Sequence, residues 1–84
     1  MNNIINRKIM VNAAYQALSN DAREVATFEL STPPTNSDAV IMQAEGTEIP
    51  LVPGEWHQFQ QVALSSIRVK GADGDMITVI GGTW

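Results

Sequence analysis

The last third of the chain constrains the fold most. Pro53-Gly54-Glu55-Trp56 leads through Leu64 to Gly71 and then Ala72-Asp73-Gly74-Asp75 into Met76 to Trp84, so short alternating runs are punctuated by proline and glycine turns. That spacing suits short antiparallel strands better than a helix of several turns. Pro53-Gly54 fits the central pair of a type II turn, proline fixing φ and glycine accepting a positive φ. Ile67 and Val69 are expected to face inward with Arg68 and Lys70 outward, Leu64 to tuck into the core, Gly71 to Gly74 to connect a hairpin, and Met76 to Ile80 to form the final strand.

Upstream the same logic predicts further strands. Lys8 to Leu18 alternates loosely and reads as a strand, although Ala13-Ala14 and Gln16-Ala17-Leu18 would also suit a helix. Glu24 to Leu30 places Ala26, Phe28 and Leu30 on one face, a half-buried strand. Ser31 to Asp38, with Pro33 and Pro34, is expected to be an exposed loop. Ala39 to Ala44 and Glu48 to Val52 are short strands around a turn at Glu45-Gly46-Thr47, and Pro50 marks an edge position. Trp56 to Gln61 is a strand for which either face could be the buried one. The expected fold is all-β, a small β-sandwich or barrel of about six to seven short antiparallel strands.

An 84-residue chain admits one domain, here residues 1–84, with residues 1–7 as a candidate flexible arm. A chain of this size buries only roughly 60–65% of its unfolded surface, so assembly with a partner is a plausible source of stability. The chain has no cysteine and one histidine, His57, which removes disulfides, thiolate metal sites and multi-histidine zinc sites from consideration. Net charge is −4, and Arg7, Lys8, Arg23, Arg68 and Lys70 are dispersed, which argues against a nucleic-acid partner and against an anionic membrane surface. The opening residues lack the pattern of a signal peptide, and no apolar run has the length of a membrane-spanning helix.

Catalytic chemistry finds little support. Asp73 and Asp75 flank Gly74, a spacing that a calcium loop could use, but the further acidic ligands of such a loop are missing, and aspartates beside glycine commonly bond the backbone of a turn. The serines have only His57 to serve as a base, and Gly81-Gly82, after the expected last strand, has no helix behind it to receive a phosphate. Glu45, Glu48 and Glu55 read as solvated acids on turns. The sequence therefore predicts no enzyme, no cofactor and no metal. Trp56 is expected to anchor the core, with an interface as the alternative, and Trp84 to dock into its own fold or a neighbouring subunit.

Pro53-Gly54-Glu55, the aromatic strand Trp56 to Phe59, the segment Leu64 to Gly71 and the run Gly74-Asp75 to Ile80 together resemble small all-β structural proteins of tailed bacteriophages. Tyr15 to Ser19, Val25 to Leu30 and Asn36 to Met42 extend the resemblance upstream. It implies a virion protein assembled in the host cytoplasm: a decoration or cement protein that binds the major capsid protein or other virion subunits as a homo-oligomer, with a head-tail connector or tail component as variants. The Thr32-Pro33-Pro34-Thr35 loop and the Gly81-to-Trp84 tail depart from the family pattern. Interface candidates are Arg7 and Lys8, in an arm with Asn2-Asn3, together with Trp56 and Trp84. A host-surface or carbohydrate-binding module, with Trp56 stacking on a sugar, is the reading from another class.

Overall fold

A computed structural model describes residues 3–83. Its strands are β1 Asn3–Met10, β2 Gln16–Ala17, β3 Val25–Ser31, β4 Val40–Ala44, β5 Thr47–Leu51, β6 Trp56–Ala63, β7 Arg68–Lys70 and β8 Met76–Thr83, with a 3-10 turn at Leu64–Ser66. They form two four-stranded sheets, ordered β1-β8-β3-β6 and β2-β7-β4-β5. All the strand pairings are antiparallel. Only β4 and β5 are both consecutive and paired, and every other connection crosses between sheets. Eight strands wound in this order make a jelly roll, a β-sandwich that pairs distant segments.

The core lies between the sheets. Ile5, Ala26, Phe28, Leu30, Ile77 and Val79 come from the first sheet, and Val40, Leu51 and Val69 from the second. Leu64, in the 3-10 turn, and Ile67 just after it are buried in the same cluster. Their alternation along β3 and β8 follows from the two-residue period of a strand with one face in water. Phe28 stacks on Phe59 with ring centroids 5.4 Å apart, which sets the half-buried Phe59 as the inward residue of β6. The type II turn is present, with Gly54 at φ 89° and Glu55 N–H donating to Val52 O at 3.0 Å. Glu45 and Gly46 both have positive φ, the twist required by the tight β4–β5 hairpin.

Four expectations are corrected. Lys8 to Leu18 is not one strand: β1 ends at Met10, Asn12 Oδ1 accepts from Ala14 N–H at 2.8 Å, and β2 begins in the other sheet. Residues 3–7 form the first part of β1, in register with Thr83 to Val79 of β8, because a strand beside β8 satisfies backbone groups that an arm would leave to water. Gly71 to Gly74 crosses between sheets and does not close a hairpin, since β7 pairs with β2 and β4 while β8 pairs with β1 and β3. Gly81-Gly82 lies inside β8, and at Gly81 the strand passes so close to Phe28 and the Thr27 carbonyl that a side chain would not fit.

The Ser31-to-Asp38 segment is also less exposed than its composition suggests. Thr32 and Asn36 are buried, and Thr32 Oγ1 donates to Val52 O at 2.7 Å. Asn36 Nδ2 donates to Met76 O at 2.8 Å and Asn36 Oδ1 accepts from Met76 N–H at 3.0 Å. These side chains supply the backbone partners that a proline-containing stretch cannot find in a ladder.

Candidate docking surface

The outward face of the first sheet is built by strand register. Lys8 lies opposite Thr78, Thr78 opposite Ser31, and Ser31 opposite Trp56, forming one row across all four strands. The next row runs Asn6, Ile80, Glu29 and Gln58. These residues alternate with buried Leu30, Ile77 and Val79, so they point to solvent. Ser31 Oγ and Thr78 Oγ1 share a hydrogen bond at 2.6 Å, which ties the centre of the first row.

On this face Trp56 is 58% exposed and Ile80 56%. Ile4, also outward, is 86% exposed, and Met10 lies farther along β1. An open depression of about 430 Å³ is lined by Thr27, Phe28, Glu29, Gln58, Gln60, Ile80 and Gly81. The face thus combines apolar side chains with amides and hydroxyls. Trp56 does not anchor the core, because the stack of Phe59 on Phe28 fixes the parity of β6 and turns the indole outward.

The other candidates are placed as follows. Arg7 is engaged by Glu24 through two bonds of 2.6 Å, so it braces β1 against the segment before β3 rather than presenting a free cation. The bond to Glu24 raises the Arg7 pKa, and the bond to Arg7 holds Glu24 below the usual carboxylate range. Lys8 is exposed on the outward face, at the opposite side of the sheet from Trp56. Trp84 and Asn2 lie outside the described residues. His57 Nε2 and Glu55 Oε2 are 2.6 Å apart, and this contact lowers the Glu55 pKa.

Asp75 has a structural role. Its carboxylate accepts from Ser37 N–H at 2.8 Å and Asp38 N–H at 3.1 Å, and Ser37 Oγ lies 3.1 Å from both oxygens. The Ser37 backbone bond, foremost, depresses its pKa. The aspartate holds a loop distant in sequence, whereas its own turn is closed by Asp75 N–H donating to Ala72 O. Among the described residues, no group of three or more histidine, cysteine or acidic side chains could hold a metal ion. No described helix is long and apolar enough to cross a membrane.

Sequence reading missed a cluster on the outward face of the second sheet. Lys70 Nζ lies 4.7 Å from the centre of the Tyr15 ring, and Arg68 Cζ lies 5.5 Å from it. The Tyr15 hydroxyl donates to Glu48, and Arg68 donates to Gln43 at 2.7 Å. Desolvation, with help from Glu48, pushes the Tyr15 phenol up to about 12. The outward parity of Arg68 and Lys70 was legible in sequence. The arrival of Tyr15 beside them depends on the pairing of β2 with β7, which joins residues far apart in the chain.

No family model matches the sequence, and no curated protein matches it. Among solved structures, the chain is similar to the solution NMR structure of a de novo designed double-stranded beta-helix. The two are 17% identical, with 99% of this chain and 96% of that chain covered and a TM-score of 0.41. That likeness carries no argument about function.

Proposed function

We propose that the chain is a non-enzymatic structural protein of a tailed-bacteriophage virion, a capsid decoration or cement component that binds the major capsid protein in repeated copies and strengthens the head shell. The observation that supports a binding role is the exposed indole of Trp56 on a sheet face that also carries Ile80 and Ile4. A large aromatic held on a rigid strand is the kind of side chain that dominates interface energetics. The acids with lowered pKa values are engaged in structural contacts, Glu24 with Arg7, Glu55 with His57 and Asp75 with Ser37, which favours a scaffold over a catalyst.

The virion assignment rests on the sequence resemblance carried by Leu64 to Gly71 and Gly74 to Ile80. Jelly rolls include viral capsid domains and lectins, and that breadth makes the fold compatible with the reading without fixing it. A head-tail connector or tail component is the variant distinguished by copy number. A carbohydrate-binding role is favoured by one specific arrangement: the Trp56 ring stands beside Ser31 and Gln58, a stacking surface next to hydrogen-bonding groups.

Quantitative mass spectrometry of purified particles from the source of the chain, measured against the major capsid protein, tests the proposal. Hundreds of copies support decoration, and about a dozen or fewer move the assignment to the neck or tail. Absence from the particle overturns the virion reading. Glycan binding that disappears in Trp56→Ala would then establish the alternative.

A further inference from the structure

We propose that the free edge of β6 pairs with β6 of a second copy of this chain, antiparallel about a two-fold axis at Gln58, joining two first sheets into one continuous sheet. The inference does not depend on which particle, if any, the protein joins. A sheet edge presents unpaired backbone donors and acceptors, and natural proteins blunt such edges with charge, proline, short strands or bulges. The four edges of this sandwich differ in how they are blunted.

β1 carries Arg7 and Lys8, β2 is two residues long, and β5 carries Glu48 and Pro50, whose nitrogen cannot donate. β6 runs eight residues, Trp56–Ala63, without proline or an acidic, lysine or arginine side chain. Among the described residues its one ladder neighbour is β3. A bulge marks its far half, where the register against β3 skips between Ala26 and Phe28 and Gln61 takes a φ of 53°. Before that irregularity, Trp56 to Phe59 pair regularly with Ser31 to Phe28. The regular edge is therefore Trp56 to Phe59, about 13 Å of strand, with Gln60 at the start of the bulge.

A second copy is the occupant because this edge is neutral in a chain of net charge −4, so self-pairing sets no like charges directly opposite one another. Directly opposed residues must point to the same face, which requires the axis to pass through a residue; His57 and Gln58 are the two central residues of the regular stretch, and Gln58 is the one not already engaged by a charged neighbour, since His57 contacts Glu55. That register places Trp56 against Gln60 of the second copy and His57 against Phe59. It also sets the two Gln58 side chains against each other, and a carboxamide both donates and accepts, so it is self-complementary. The contact is isologous and closes on itself.

Light scattering coupled to size exclusion, over a concentration series of the intact chain, should show a monomer–dimer equilibrium. Gln58→Glu puts two carboxylates at the axis and should weaken association at neutral pH at least tenfold, whereas Asn6→Glu on the same face of β1 should leave it unchanged. Circular dichroism confirms that each variant is folded. Hydrogen exchange on the wild type should show β6 edge amides whose protection rises with concentration. A chain that stays monomeric throughout the series overturns the proposal. So does a dimer that tolerates Gln58→Glu, or β6 amides protected only when a different protein is added.

Discussion

Gly81 shows how one missing side chain sets the spacing inside the first sheet. A Cβ built at this position would lie 2.5 Å from Phe28 Cα and 2.7 Å from Phe28 Cβ and would overlap the Thr27 carbonyl oxygen, so the obstruction is mostly backbone that cannot swing away. Gly81→Ala should therefore destabilise by about 3 kcal/mol or more, beyond the usual overpacking range, and chemical denaturation would measure it. Gly46, which has open space around its missing Cβ but a φ of +73°, is limited by backbone conformation instead. Asn36 is a second residue whose importance is not local. Asn36→Ala removes both bonds to the Met76 backbone and should cost about 1–3 kcal/mol, read from the shift of the denaturation midpoint. Neither residue could be singled out from composition. Gly81 follows an expected strand and Asn36 sits in a proline loop, and only the arrival of β3 and β8 beside them reveals their partners.

At the scale of elements, strands whose signal is local were legible and those whose identity depends on pairing were not. β3 and β7 alternate cleanly, with Ala26, Phe28 and Leu30 or Ile67 and Val69 inward, and were placed within a residue or two of their bounds. The Pro53-Gly54 turn carries its own geometry in its residue types. β1 and β2 merged in the sequence because Val11 to Tyr15 continues an alternating pattern across the crossing between sheets. The orientation of β6 stayed open because Trp56 and Phe59 are both large aromatics, and the stack with Phe28 decides it. This orientation carries a prediction for the candidate surface. Because Trp56 is exposed, Trp56→Ala should shift folding stability by no more than about 0.5 kcal/mol, while weakening any binding that uses the face. Phe59→Ala should behave in the opposite sense, losing the aromatic pair and measurable stability, about 0.5–1.5 kcal/mol from the pair beyond its burial. Thermal melts of the two variants, compared with particle or glycan binding, separate a surface residue from a core one. A Trp56→Ala protein that melts far below the parent would place the indole in the core after all.

For the molecule as a whole, ionised contacts join segments distant in sequence, so stability should depend on pH on both sides of neutrality. Asp75 links the turn before β8 to the loop before β4, and Glu24 links the segment before β3 to β1. Both have pKa values lowered by folding, from ordinary values of 3.8 and 4.5, and Glu55 is lowered in the same sense. A carboxylate with a lowered folded pKa contributes stability that is present above its unfolded value and lost as pH falls through the folded one, so the loss begins below about pH 4.5 and deepens through pH 3. Tyr15 runs the other way. Its pKa rises from 10.0 to about 12 on folding, so its contribution is complete below 10.0 and disappears as pH climbs toward 12. The melting temperature should hold a plateau between about pH 5 and 9 and fall on either side. Asp75→Asn replaces one carboxylate oxygen by an NH2 group, which would face either the Ser37 or the Asp38 N–H, donor to donor. This variant should melt lower at neutral pH and show a shallower acid limb, because one of the groups that titrates on unfolding is gone. Tyr15→Phe should flatten the alkaline limb and leave the acid limb as it was. Wild-type and Asp75→Asn proteins that lose stability in parallel from pH 5 to pH 2 would show that the aspartate does not hold the two segments together, leaving Glu24 with Arg7 and Glu55 with His57 as the pairs to which the acid response belongs.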